Sequence, residues 1–86
     1  MPEVSRFYGI SIYLYPREHP PAHFHAFYGE DEAVFEIATL RILEGSLSSR
    51  SRSLVLEWAA LHRDELFAAW DRLRAGQAPG KIAPLE

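Results

Sequence analysis

An α+β domain is the fold class this sequence predicts: a small antiparallel sheet of three to four strands in a meander, followed by one long or two consecutive helices packed on one face. Three observations carry it. Apolar residues alternate with a period of two from Phe7 to Tyr15 and again from Ala22 to about Ala38, the signature of half-buried strands. From Val55 onward they recur three and four apart, the period of a helix face. With 86 residues, 48 % of them hydrophobic and 24 % charged, the chain has the apolar content for one core and the length of one domain. That single domain, 1–86, divides into a β-sheet half over 1–47, a helical half over 48–76 and a C-terminal tail over 77–86.

The first strand is predicted over Phe7–Tyr15. Tyr8, Ile10, Ile12 and Leu14 fall on one face, and Gly9, Ser11, Tyr13 and Tyr15 on the other. Pro16 ends it, because proline has no N–H to give a ladder, and Arg17–Pro21 is a loop. A second strand runs from about Ala22 to Tyr28, Gly29-Glu30-Asp31 supplies turn chemistry, and a third strand runs from Glu32 to about Ala38. Leu40–Leu43 is a short fourth strand closed by Gly45.

Ser48 or Ser49 is a natural helix N-cap, without the Glu or Gln three residues on that completes a capping box. The stripe Val55, Trp58, Ala59, Leu66, Trp70 and Leu73 faces the sheet, and aromatic burial accounts for both tryptophans. Gly76 is the terminator, with Arg72 and Arg74 in the last turn, where cations suit the helix C-terminus. An unbroken helix over Ser49–Ala75 is about 40 Å long, more than such a sheet spans. Either it projects beyond the sheet or it breaks near His62-Arg63-Asp64, with Asp64 capping a second helix; a break or kink is the expectation. In the tail, Ile82 and Leu85 either tuck back onto the domain or meet a partner.

Composition removes several functions. The absence of cysteine excludes disulfides and thiolate metal sites, so any metal relies on histidine, carboxylate and water. A net charge of −3 argues against a dedicated nucleic-acid binder, whose affinity comes from phosphate contacts. The Ser48–Ser53 run, with Arg50 and Arg52, reads as a solvated helix start rather than a phosphate contact. No signal peptide and no membrane-spanning run is present, so a cytoplasmic location is expected.

Three of the four histidines lie within His19-Pro20-Pro21-Ala22-His23-Phe24-His25, and this is the candidate functional site. On a strand His23 and His25 share one face, opposite Phe24, Ala26 and Tyr28. Joining the apolar faces of the second and third strands puts Glu36 on the histidine face. It stands opposite His25 if four residues form the loop and opposite His23 if two do. Three readings follow. His19, His23 and His25 ligate a divalent transition metal, with Glu36 as an alternative third ligand. Or His23, His25 and Glu36 act as metal-free catalytic acid–base groups. Or the residues decorate a half-exposed sheet face that binds a partner. His62, on the helix stripe, is either an interior histidine bonded to a backbone carbonyl or a fourth member of the cluster. Tyr13 and Tyr15 flank the histidines or form an apolar interface patch. No glycine-rich phosphate loop, Ser-His-Asp order or HExxH motif occurs.

The run GISIYLYPREHPPAHFHAFYGEDEAVFEI, with LEGSL, LVLEWAALHRDEL and the terminal KIAPL, resembles the bacterial family known as domain of unknown function 4160 over nearly the whole chain. Many members read HNPPHFH-like where this chain carries the extra Ala22, which leaves His-Phe-His intact but shifts how His19 meets the other two. The resemblance implies a bacterial source and a neighbouring gene encoding a second small protein, in pairs that look like toxin–antitoxin modules. It brings no activity with it. The leading expectation is thus a protein-interaction module, the toxin-like member of such a pair, which meets its partner through the histidine face or the aromatic and tail residues. The alternative is a metal-dependent or histidine-based hydrolase or nuclease using the His19/His23/His25 cluster, although the acidic chain weighs against an RNase. A third reading is a structural regulator whose histidines sense pH. Unpaired edge strands would also serve a homodimer.

Overall fold

The computed structural model describes residues 2–86. Strands β1 (Glu3–Phe7), β2 (Ile10–Tyr13), β3 (His23–Tyr28), β4 (Asp31–Glu36) and β5 (Ile42–Gly45) form one antiparallel sheet in that order. Helices α1 (Ser49–Leu61) and α2 (Arg63–Arg74) follow. The α+β meander with consecutive helices is the architecture the alternation predicts, with one strand more.

The extra strand comes from a hairpin inside the predicted first strand. Tyr8 and Gly9 both take positive φ, 51° and 80°. Left-handed backbone at both central residues is the geometry of a type I′ turn, so the chain reverses between the paired residues Phe7 and Ile10. Tyr8 is consequently exposed, not aligned with Ile10, Ile12 and Leu14, which are fully buried. Between β3 and β4 the turn has two residues, Gly29 and Glu30, and the register pairs His23 with Glu36, Phe24 with Phe35 and Ala26 with Ala33. β5 begins at Ile42 rather than Leu40, because residues 36–41 close a turn. Its bonds run from the Leu40 N–H to the Glu36 carbonyl (2.7 Å) and from the Glu36 N–H to the Arg41 carbonyl (2.8 Å).

One face of the sheet supplies Ile10, Ile12, Phe24, Ala26, Ala33 and Phe35 to the core, where they meet Val55, Trp58, Ala59, Leu66 and Ala69 of the helices. α1 starts on Ser48, whose Oγ accepts the Ser51 N–H at 3.2 Å. The helices part at His62, which ends α1 and precedes α2. Asp64 does not cap the second helix; it lies with Glu65 in its first turn, where negative charge suits the N-terminus. α2 closes at Gly76, with φ 80°. The tail tucks back: Ile82 is buried, and its N–H donates to the Val4 carbonyl at 2.7 Å. No helix among the described residues is long and apolar enough to cross a membrane.

Gly45 is the least replaceable glycine of the sheet. Its φ is +74°, and a Cβ at this position would lie 2.1 Å from the Glu32 carbonyl oxygen, a backbone atom that cannot swing away. Gly45→Ala is expected to destabilise the domain by about 2 kcal/mol or more, combining backbone strain with displacement of β5 from β4. In a domain of this size that lowers the melting temperature by about 10 °C, which calorimetry would register.

Candidate metal centre

The alternation that buries Phe24 and Ala26 turns His23 and His25 to the face opposite the helices. The loop between β2 and β3 returns over that face and delivers Glu18. One oxygen of its carboxylate, Oε1, lies 2.9 Å from Nε2 of His23 and 2.9 Å from Nε2 of His25. The other ring nitrogens are also engaged. Nδ1 of His23 is 2.7 Å from the Pro21 carbonyl, and Nδ1 of His25 is 2.9 Å from Glu32 Oε2. Both imidazoles are largely enclosed, with side chains 11 % and 13 % exposed. The Trp70 ring stands 5.1 Å from His23, and Tyr15 meets His25 edge-on at 4.7 Å.

Hydrogen-bond logic constrains the protons of both rings. A carbonyl only accepts, so Nδ1 of His23 carries its proton and, in the neutral ring, its Nε2 is a bare lone pair facing Glu18 Oε1. Nδ1 of His25 faces the Glu32 carboxylate and its Nε2 the Glu18 carboxylate, so a neutral ring leaves one nitrogen bare against an anionic oxygen. A proton on each ring, or a cation shared among the two Nε2 atoms and Oε1, turns these contacts into attractive ones. A divalent ion would take Nε2, Nε2 and Oε1 as ligands. Glu18, His23 and His25 are the one group of this kind among the described residues. The two Nε2 atoms and a Glu18 carboxylate oxygen all lie within 4.8 Å of one another, near enough for one ion to be shared among them. The outer partners are those ligating histidines ordinarily have, a backbone carbonyl and a carboxylate that hold the ring and raise its basicity.

In the metal-free site with both rings protonated, burial pushes the Glu18 carboxyl up, but the hydrogen bonds donated by His25 and His23 and the charge of those rings outweigh it and leave the group below its usual value of 4.5. A carboxyl lowered by folding contributes stability that is complete above the unfolded value and is lost as pH falls through the folded one. Metal-free Glu18→Gln should therefore be less stable than wild type above the ordinary carboxyl range, with the difference closing as pH falls through the lowered Glu18 value in acid denaturation. Identical stability–pH curves would contradict this. Tyr15 is raised by burial and by the negative charges of Glu32 and Glu18, which marks the negative potential of the site.

The sequence-predicted residues separate here. His23 and His25 converge as the strand period requires. His19 is exposed in the loop and is not part of the ligand group. Glu36 stands opposite His23, as a two-residue turn demands, yet its Oε1 accepts the Thr39 hydroxyl at 2.8 Å and Nη2 of Arg41 at 3.4 Å. His62 bonds the Glu65 carboxylate and packs 5.6 Å from the Trp58 ring, so neither expectation for it holds. Tyr15 flanks His25, and Tyr13 stacks on Tyr15 at 5.9 Å. Sequence reasoning misses Glu18 and Glu32. Glu32 was legible: the period that puts Glu36 and Val34 on the histidine face puts Glu32 there too, diagonal to His25 and within a long side chain's reach. Glu18 sits in a loop, where no period tells which way a side chain points.

Fold and site together define a class: a small α+β domain with a two-histidine, one-carboxylate cluster on the outer face of a five-stranded meander, bordered by the C-terminal turn of α2. Residues 9–71 match the family described as domain of unknown function (DUF4160), and the chain belongs to that family. The matched segment contains Glu18, His23, His25 and Glu32. No curated protein and no solved structure matches the chain.

Proposed function

We propose that this protein is a metal-dependent hydrolase whose divalent ion is held by His23, His25 and Glu18. The observation that carries the reading is the convergence of two Nε2 atoms on one carboxylate oxygen while both Nδ1 atoms are already committed elsewhere. Three protein ligands leave coordination positions for water and substrate, the pattern of catalytic rather than structural sites. An ion so held would supply a bound water that ionises far more readily than free water and would polarise the bond under attack. A cleft of about 310 Å³, lined by Glu18, His23, His25, Glu32, Val34 and Glu44, gives the open side. Imidazole and carboxylate donors without thiolate suit zinc, iron or manganese.

Elemental mass spectrometry on untagged protein tests the reading. One divalent ion per chain, absent from the His23→Ala, His25→Ala variant, supports it, together with ester hydrolysis that chelation abolishes. A wild-type protein that takes up no zinc, iron or manganese on incubation would sink it.

A second reading is the protein-interaction module, the toxin-like member of a bacterial, cytoplasmic gene pair. What favours it is the half-buried patch of Tyr13, Tyr15 and Phe27 on the same face, with Tyr13 edge-on to Phe27 at 5.5 Å. Co-expression with the neighbouring gene product and size-exclusion chromatography decides it; separate elution of the two proteins counts against it.

A further inference from the structure

Next to the metal cluster, between the loop after β2 and the C-terminal end of α2, lies a cleft of about 780 Å³ lined by Arg17, Glu18, His19, Leu73 and Arg74. A second hollow of about 400 Å³ shares Arg17, Glu18 and His19 with it and adds His23 and Glu44. Glu18 thus borders both the cationic cleft and the cleft over the metal ligands, of which it is one. We infer that this cleft binds the phosphoryl group of a phosphate ester and presents it to the metal centre, an inference that rests on the hydrolase reading and names its substrate class.

Charge placement is the first argument. The chain is acidic, net −3 with nine Lys and Arg, yet two arginines and a histidine border this one cleft. Most other cations are occupied: Arg6 pairs with Glu3, Arg41 with Glu36, and Arg63, Arg72 and Lys81 donate to backbone carbonyls, which leaves only the exposed Arg50 and Arg52 of α1 equally free among the described residues. Arg17 and His19 make no side-chain hydrogen bond or ion pair among the described residues and border both hollows.

Preorganisation is the second. Nη1 of Arg74 donates to the Glu18 carbonyl at 3.2 Å, and its guanidinium carbon lies 5.7 Å from the centre of the Trp70 ring. The head group is held in place with most of its five N–H donors left over. Arg17 is held at φ 65°, a left-handed conformation that non-glycine residues adopt at a cost and that concentrates at ligand-binding sites.

Ligand chemistry is the third. A guanidinium fork matches phosphate oxygens in pairs, and a tetrahedral dianion has enough oxygens to meet two arginines and a metal ion together. The centre itself is ringed by Glu18, Glu32 and Glu44, which repel a free anion. Cations one side chain away offset that repulsion and fix which end of the substrate enters.

Calorimetric titration with inorganic phosphate tests the site on metal-free full-length protein, with acetate as the comparison anion and zinc titrated separately. The variant is Arg17→Asn, since asparagine accepts the left-handed backbone while the guanidinium is lost. Wild type is expected to bind phosphate in preference to acetate, Arg17→Asn to bind it at least tenfold more weakly, and Arg17→Lys to recover part of the loss. Zinc should bind Arg17→Asn no more weakly than wild type, since the ligands are intact and a repelling cation is gone. Equal phosphate affinity in wild type and Arg17→Asn overturns the inference, as does acetate binding as tight as phosphate. A wild type that binds phosphate through Arg17 but takes no zinc keeps the anion site and removes the hydrolase reading.

Discussion

Glu18→Ala is expected to abolish divalent-metal binding as fully as His23→Ala or His25→Ala, whereas Glu36→Ala and His19→Ala leave it unchanged. The contrast is informative because Glu36 is the carboxylate directly across the ladder from His23 and His19 the nearest other histidine in the chain. Neither supplies an atom to the cluster: Glu36 is spent on Thr39 and Arg41. Loss of an outer partner of a ligating histidine typically costs about 10–100-fold in affinity. Glu32→Ala should fall in that range, since Nδ1 of His25 loses its acceptor. Removal of a ligand itself should exceed it. Zinc titration of untagged variants reads both effects, and thermal unfolding provides a second measure. An ion at 100 times its dissociation constant stabilises the folded state by about 2.7 kcal/mol, so wild type should melt higher with zinc and Glu18→Ala should not. Metal binding that survives Glu18→Ala and disappears in Glu36→Ala would put Glu36 in the place of Glu18 among the ligands.

Trp58→Ala is expected to leave little folded protein. The residue is fully buried at the junction of all the layers. Its ring lies 5.3 Å from Phe7 of β1, 6.0 Å from Phe24 of β3 and 5.6 Å from His62 at the helix break. Its indole N–H donates to the Ala83 carbonyl at 2.8 Å and so fastens the tail. Truncating a buried tryptophan costs about 3–5 kcal/mol, and the tail loses a hydrogen bond worth about 1 kcal/mol more. At about 0.05–0.15 kcal/mol per residue, an 86-residue chain has about 4–13 kcal/mol in total. Denaturant titration should show most of that margin gone. Trp58→Phe keeps much of the packing and loses the donor, so a smaller loss, about 1–2 kcal/mol, is expected. A Trp58→Ala protein that unfolds cooperatively at a denaturant midpoint close to wild type would contradict this role for Trp58 in the core.

How far a residue's role could be read from the chain depended on whether it lies in a periodic element. Alternation placed Ile10, Ile12, Phe24, Ala26 and Phe35 in the core and turned His23 and His25 to the other face. Ser48 and Gly76 marked the ends of the helical half, and the length of the stripe pointed to a break, which falls at His62. The hairpin at Tyr8-Gly9 is masked because Tyr8 extends the apolar series Ile10, Ile12 and Leu14 one step back into the turn. Phe7 and Ile10 pair and are both buried although they lie an odd number of positions apart, so the alternation changes phase at the reversal. An aromatic at the tip hides that change of phase, and only Gly9 signals the turn.

For the candidate site, the sequence by itself determined which two histidines share a face and which face that is, because side-chain direction along a strand is a local property repeated every two residues. It also restricted Glu36 to two positions. The tertiary structure alone decided the carboxylate. Glu36 sits within one ladder step of His23 but finds Thr39 and Arg41 in the turn that follows it, while Glu18 arrives from a loop with no repeat to reveal its direction. Where that loop comes to rest depends on the Arg74 bond to the Glu18 carbonyl and on Trp70 beside His23, contacts made by α2 from far along the chain. Packing between distant segments sets such a position, and no window of neighbouring residues contains it.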